Sequence, residues 1–248
     1  MGYLRTENIS KSFGEKKVIE DISVHLEEGE IVCLLGVSGS GKTTLFNVIS
    51  GLYQPDSGRI ILNDEDITGK PGEISYMLQK DLLQPYYTVL DNVCLPLVIK
   101  KKMKKKAARE LASPLFEQFG LEGTQKKYPA QLSGGMKQRA ALLRTYLSSH
   151  GVALLDEPFS ALDTITKSAI HEWYLNIMQE IKLSTLFVTH DIDEAILLSD
   201  RIYILSGKPG KISAEFEIKE PKPRNNSFTM TDEFISYKRK IIEALGEI

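Results

Sequence analysis

Two stretches of the chain combine the residue types that phosphate chemistry needs. The first is Gly36-Val37-Ser38-Gly39-Ser40-Gly41-Lys42-Thr43, followed by Thr44, and it fits G-x-x-x-x-G-K-[ST]. Its glycines let backbone N–H groups converge on phosphate oxygens with no Cβ in the way. A helix beginning near Gly41 would point its positive end at the same anion. Lys42 adds a full charge for the β- and γ-phosphates, and the Thr43 hydroxyl suits Mg²⁺.

The second stretch is Val152-Ala153-Leu154-Leu155-Asp156-Glu157, an apolar run ending in two acids. Delivered beside the phosphate loop, Asp156 suits a carboxylate that holds Mg²⁺, usually through water. Glu157 can orient and deprotonate an attacking water, help that lowers a barrier by about 3–5 kcal/mol. Away from a phosphate loop the same pair would read as an acidic helix cap. Leu132-Ser133-Gly134-Gly135-Met136-Lys137-Gln138-Arg139 opens a helix with a serine and two glycines, which makes another anion-binding N-terminus. One nucleotide needs only one such terminus, so the second raises the question of what it meets.

The elements that must carry these residues follow from patterning. Tyr3 to Ile9 and Val18 to Leu26 predict strands joined by a turn at Gly14. Ile31 to Leu35 is a short apolar run of the kind found in buried parallel strands. Lys42 to Ser50 predicts a helix, and Arg59 to Leu62 and Ile74 to Leu78 predict strands. From Leu90 to Leu147 the pattern is helical, with one helix over Ala107 to Phe119 and another beginning after Gly135. Strands return at Val152 to Leu155, Thr185 to Thr189 and Arg201 to Leu205, with a helix from Thr164 to about Lys182. A polar link with Pro221, Pro223, Asn225 and Asn226 precedes a last helix near Asp232 to Leu245. Strand-rich, then helical, then alternating segments predict an α/β core with an inserted helical part.

Composition narrows the classes. Thirty-one Lys and Arg against 33 Asp and Glu leave a net charge of −2, which gives no long-range attraction to nucleic acid. The one basic run, six lysines from Lys100 to Lys106 around Met103, reads as the solvated start of a helix. Cys33 and Cys94 make neither a metal-ligand spacing nor a disulfide framework. Cys33, inside an apolar run, is expected to pack as a small hydrophobe. No apolar leader opens the chain, and no stretch nears the ~20 apolar residues that span a bilayer. A membrane role is therefore expected to come through a partner.

Taken in order, these motifs resemble the ATP-binding cassette (ABC) family, in which Ser133-Gly134-Gly135 falls in the signature motif. The resemblance covers nearly the whole chain. It implies an α/β fold: a P-loop NTPase core with an antiparallel β subdomain and an inserted helical subdomain. Within one domain over 1–248, it divides the chain into a core of 1–88 and 150–217, a helical subdomain over 89–149, and a C-terminal linker and helix over 218–248. It also implies ATP and Mg²⁺ as ligands, with hydrolysis coupled to transport. Phe13 matches the aromatic that stacks on adenine, with Val18 following. Gln79 matches the glutamine that touches Mg²⁺ and couples the core to the helical subdomain. Ser160-Ala161-Leu162-Asp163 looks like the loop that meets a second subunit, and His190 matches the switch histidine on the γ-phosphate. His25, His150 and His171 match nothing in the family pattern.

In that family the signature grips the nucleotide held by the opposite subunit. The expected partners are thus a second ATPase subunit, as a homodimer in the ATP-bound state, and a transmembrane permease subunit. A solute-binding protein of the same system is expected as well, with no nucleic acid. The expected place is cytoplasmic, peripheral on the inner face of the membrane. The nearest resemblance is to importers of nitrate, sulfonates and taurine, through Met136, Thr88-Val89-Leu90-Asp91-Asn92-Val93 and Gly207-Lys208-Pro209-Gly210-Lys211-Ile212. Where that group tends to carry Leu-Pro-Trp, this chain has Gln84-Pro85-Tyr86. The alternative is an ABC ATPase acting on DNA or ribosomes. It would be marked by long coiled-coil insertions or a doubled cassette, and the sequence has neither.

Overall fold

The computed structural model describes residues 4–160, 162–224 and 227–246. Tyr3, Ala161, Asn225 and Asn226, named above, lie outside them. The chain opens with β1 (Leu4–Phe13), β2 (Lys16–Ile22), β3 (His25–Leu26) and β4 (Ile31–Leu35), then α1 (Lys42–Ile49). Next come β5 (Ser57–Leu62), β6 (Glu65–Asp66) and β7 (Ser75–Met77). A helical stretch holds α2 (Val89–Ile99), α3 (Lys105–Ala112), α4 (Leu115–Gln118) and α5 (Gly134–Ser148). The rest alternates: β8 (Val152–Asp156), α6 (Thr164–Ile181), β9 (Ser184–Thr189), α7 (Ile192–Leu198), β10 (Arg201–Ser206), β11 (Lys211–Glu217) and α8 (Asp232–Leu245).

The strands form two sheets. One is antiparallel, in the order β2-β1-β5-β6, with β3 also paired to β1. The other runs β11-β10-β4-β9-β8-β7 and is parallel except for its edge strand β11. Strands β4, β8 and β9 are buried at every position, as expected of strands covered on both faces. The pleat of β4 sends alternate residues into two cores. Cys33 and Leu35 pack with residues of α5, α6 and α7, whereas Val32 and Leu34 pack with α1 and the antiparallel sheet.

Several predicted elements differ, each for a local reason. Val18 to Leu26 is not one strand: Asp21 adopts φ 56°, the chain turns, and β3 pairs with Leu4 and Arg5 instead. The helix over Ala107 to Phe119 is two, because α4 opens at Pro114, which has no N–H to continue the ladder. Helix α5 starts at Gly134, two residues earlier than predicted. Every lysine of the basic run is exposed: Lys100 to Lys102 link α2 to α3, and Lys104 to Lys106 form the solvated start of α3, as expected. Lys101 Nζ donates to the Leu147 carbonyl at 3.3 Å and Lys105 pairs with Asp91 at 3.0 Å. Helix α7 and strand β11 were not anticipated.

Beyond β11 the chain returns across the core. Arg224 is 5% exposed and donates to the carbonyls of Ile196, Ser199, Ile218 and Glu220. Helix α8 sets Phe234 and Ile241 into the core. Among the described residues no helix is long and apolar enough to cross a membrane.

Candidate functional site

Strand register brings the distant motifs to one edge. Leu35 lies level with Thr189, Phe187 with Leu155, and Leu155 with Met77. The residues that follow these strands therefore emerge together at their carboxyl ends: Gly36, His190, Asp156 with Glu157, and Gln79. Open parallel sheets bind ligands at that end. A cleft of about 670 Å³ lies there, lined by Val18, Ser38, Gly39, Gly41 to Thr44, Gln79, Glu157 and His190.

The loop is shaped by close approaches. Gly41 has φ 101° and forms the N-cap of α1; a Cβ there would stand 2.5 Å from Ile19 Cγ2. A Cβ on Gly36 would collide with the Leu205 carbonyl. Gly36 and Val37 carry the loop in from β4, and Lys42 Nζ donates to their two carbonyls at 2.8 and 2.9 Å. Burial lowers the Lys42 pKa, and Glu157 and Asp156 oppose that shift. Ser40 is buried and its hydroxyl has no hydrogen-bond partner among the described residues, an orphan polar atom within the loop. Thr43 and Thr44 occupy the first turn of α1.

Facing the loop, Glu157 takes φ 45°, a left-handed conformation rare for a side chain that costs about 1–3 kcal/mol. Its amide donates to Val188 O at 3.0 Å, fixing the turn that swings the carboxylate off the end of β8. Gln79 Nε2 donates to Glu157 Oε2 at 2.9 Å, and His190 Nδ1 lies 3.1 Å from Oε1. Asp156 is 7% exposed and accepts from the Tyr76 hydroxyl at 3.1 Å. Burial raises its pKa, and the neighbouring Glu157 charge adds to the rise, while Tyr76 and Lys42 resist it.

The donors available to a cation are the Thr43 hydroxyl, the Asp156 carboxylate and the Gln79 amide. All are hard oxygen ligands. Among the described residues no group of three or more His, Cys, Asp or Glu could form an all-protein cage. That set fits Mg²⁺, which is commonly held by one or two carboxylates together with substrate phosphates.

Not every predicted residue joins this cleft. Phe13 is 47% exposed, edge-on to Tyr53 at 5.4 Å, and is not among the residues lining it. Ser133 caps α5 through the Met136 amide at 3.3 Å. Ser133 and Gly134 are exposed, Gly135 is buried, and none of the three lines the cleft. Two residues that sequence reasoning missed support the site. Tyr76 holds Asp156, and nothing in its setting signalled this. Gly210 packs against the loop: its amide donates to Val18 O at 2.9 Å, and a Cβ there would collide with the Ser40 carbonyl. The Pro209-Gly210 turn was the available clue.

Comparison with known proteins adds an independent line. The family model for ABC transporters matches residues 19–160. The chain is 47% identical to the formylaminopyrimidine import ATP-binding protein of Halalkalibacterium halodurans, over 83% of this chain and 80% of that protein. It is 42% identical to an aliphatic sulfonates import ATP-binding protein of Bacillus cereus, over 94% and 90%. It is 38% identical to a nitrate import ATP-binding protein of Synechocystis, over 94% and 89%. Among solved structures it is similar to a dimeric, post-hydrolysis ATP-binding cassette bound to ADP and Pi. There the TM-score is 0.73 and the identity 29%, over 88% of this chain and 100% of that one.

Proposed function

The chain belongs to the ABC transporter family and is the ATP-hydrolysing subunit of an import system, and from that premise we propose how its residues divide the work. The loop from Gly36 to Thr44 binds the triphosphate, with Lys42 leaving its own loop carbonyls for the β- and γ-oxygens. Val18 and Phe13 take the adenosine end. Thr43, Asp156 and Gln79 would hold Mg²⁺, which when bound would supply positive charge against the phosphates. Glu157 takes the proton from the attacking water. His190 steadies Glu157 and the γ-phosphate, and Gln79 reports their state to the helices of 89–149.

One observation carries this reading. A carboxylate in a left-handed turn is held between an amide at 2.9 Å and an imidazole at 3.1 Å, across the cleft from a phosphate loop. Among the described residues, Ser133 to Gly135 do not line that cleft. We assign these three to the nucleotide of a second copy, so that two chains close head to tail on two ATP molecules. Such pairing suits a chain similar to a cassette solved as a dimer and to import ATP-binding proteins, and the pair would serve a membrane permease. A solute-binding protein delivering a nitrate-, sulfonate- or taurine-like solute, with the chain lying on the inner face of the membrane, completes the proposed system.

The direct test is Glu157→Gln. Glutamine keeps the shape and, through its one oxygen, can still accept from Gln79 Nε2, yet it cannot take the proton. The variant should bind ATP, lose about 10²–10⁴-fold in turnover and accumulate closed pairs seen by light scattering. Turnover near that of the parent would remove Glu157 from the base role.

A further inference from the structure

The structure holds a charged cluster outside the cleft, in the seam between α6 and α7. Its centre is Lys167, with Nζ 3.0 Å from Asp191 Oδ2 and 2.6 Å from Glu194 Oε1. Glu194 is 3% exposed. Burial would raise the Glu194 pKa, but His171, Lys167 and Thr189 together hold it below the usual carboxylate range. His171 follows Lys167 by one turn on the same face of α6, and its Nε2 is 3.5 Å from Glu194 Oε1.

The placement of these groups matters more than their number. His190 sits between Thr189 and Asp191, and both neighbours are tied to Lys167. Asp191 is tied directly, and its other oxygen caps α7 by accepting from the amides of Asp193 and Glu194 at 3.0 and 3.2 Å. Thr189 is tied through Glu194, to which its hydroxyl donates at 2.6 Å. The Asp191 amide donates back to the Thr189 hydroxyl at 3.0 Å. The backbone on each side of the histidine thus ends on one ammonium group.

The same lysine lies one turn beyond Asp163, the N-cap of α6. Its amide donates to Asp163 O at 2.8 Å, and Asp163 caps α6 through the Thr166 amide at 3.1 Å. Ser160 Oγ accepts from Gln79 Nε2 at 3.3 Å and donates to Glu157 O at 3.0 Å. Buried ion pairs add little net stability compared with apolar packing of the same volume, whereas they can fix a geometry.

We propose that Lys167 is a positioning residue that holds the His190 imidazole over Glu157 by tying down both of the histidine's neighbours, Asp191 directly and Thr189 through Glu194. This rests on the reading of Glu157 and His190 given above. Asp191 and Glu194 hold the two residues that flank the histidine, so removing the Lys167 ammonium lets the imidazole drift from Glu157.

The test compares steady-state phosphate release and thermal melting of the full chain for Lys167→Met, Lys167→Arg, His190→Ala and Lys167→Met with His190→Ala. Misplacing a catalytic group by about 1 Å can cost up to about a hundredfold, so Lys167→Met should lose about ten- to a hundredfold in kcat. Its KM for ATP should stay within about twofold of the parent, and Lys167→Arg should recover most of the loss. On the residual rate of His190→Ala, adding Lys167→Met should change turnover by less than about twofold, because both act through one imidazole. Should Lys167→Met fail to fold, Lys167→Gln undergoes the same measurements.

A Lys167→Met chain with kcat within about twofold of the parent overturns the inference, whatever its melting temperature. So does a full further loss in the His190→Ala background, which would place the effect elsewhere. If His190→Ala itself turns over ATP at the parental rate, the site reading falls and this inference falls with it. If His190→Ala is impaired and Lys167→Met is not, only the inference fails.

Discussion

Replacing Asp156 with asparagine should make the chain more stable and less able to respond to its ligand. At the end of β8 the Asp156 carboxylate is 7% exposed. Burial is the largest influence on it and raises its pKa, Glu157 raises it further, and the Tyr76 hydroxyl with Lys42 only partly offsets them. A raised folded pKa means that the protonated carboxyl stabilises the fold, fully so below the unfolded pKa, and that this contribution is lost as pH rises through the folded value. At neutral pH the ionised group is therefore a cost. Asparagine has the same shape, keeps an oxygen to accept from Tyr76, and carries no charge. Relief of a strained functional residue is typically worth about 0.5–2 kcal/mol. At roughly 2–4 °C per kcal/mol for a chain of this size, Asp156→Asn should melt about 1–8 °C above the parent without divalent cation.

The order should reverse when MgATP is added. A ligand at a hundred times its Kd stabilises by about 2.7 kcal/mol. The parent should gain that much, and the variant, lacking the carboxylate, much less. The assay is thermal denaturation followed by intrinsic fluorescence, first in EDTA and then in MgATP. Repeated in EDTA as the pH is lowered, the gap between the two proteins should narrow. An Asp156→Asn chain that melts below the parent in EDTA at neutral pH would refute the reasoning, as would one that gains as much from MgATP.

Two other outcomes follow from packing and exposure. Gly210→Ala puts a methyl group into the Ser40 carbonyl, a backbone atom that cannot swing aside; about 1–3 kcal/mol of stability should be lost, with a raised KM for ATP in phosphate-release assays. Tyr86 is 90% exposed, so Tyr86→Ser should leave melting and ATP affinity unchanged. Its effect should instead be on permease binding, by about 2 kcal/mol if Tyr86 is an anchor, read as loss of co-purification with that subunit.

The phosphate loop and the acid-ended strand were legible because their chemistry is local: glycines, a lysine and two carboxylates in fixed spacing. The parallel strands were legible for a related reason, since burial on both faces leaves unbroken apolar runs such as Ile31–Leu35. What escaped was set by distant contacts. β11 alternates exposed and half-buried residues and is defined by its pairing with β10. α7 is only seven residues long, and its start is fixed by the Asp191 cap. The split between α3 and α4 could have been read from Pro114. The break after Ile22 rests on a left-handed Asp21, which no pattern of hydrophobicity encodes. Tyr76 and Gly210 reach the site through contacts with residues far along the chain, so local spacing gave no reason to place them there.

The neighbours of β4 have a consequence for synthesis. That strand, which launches the phosphate loop, hydrogen-bonds on one side to β9 and on the other to β10, both made more than 150 residues later. A growing polypeptide displaying the whole Gly36 to Thr44 loop thus carries two open edges on its most apolar strand until the ribosome has passed Ser206. Long-range pairings of this kind close slowly and leave sticky edges bare meanwhile. Chains stalled or cleaved between α6 and β10 should precipitate rather than bind nucleotide, and chaperone demand should peak over that interval.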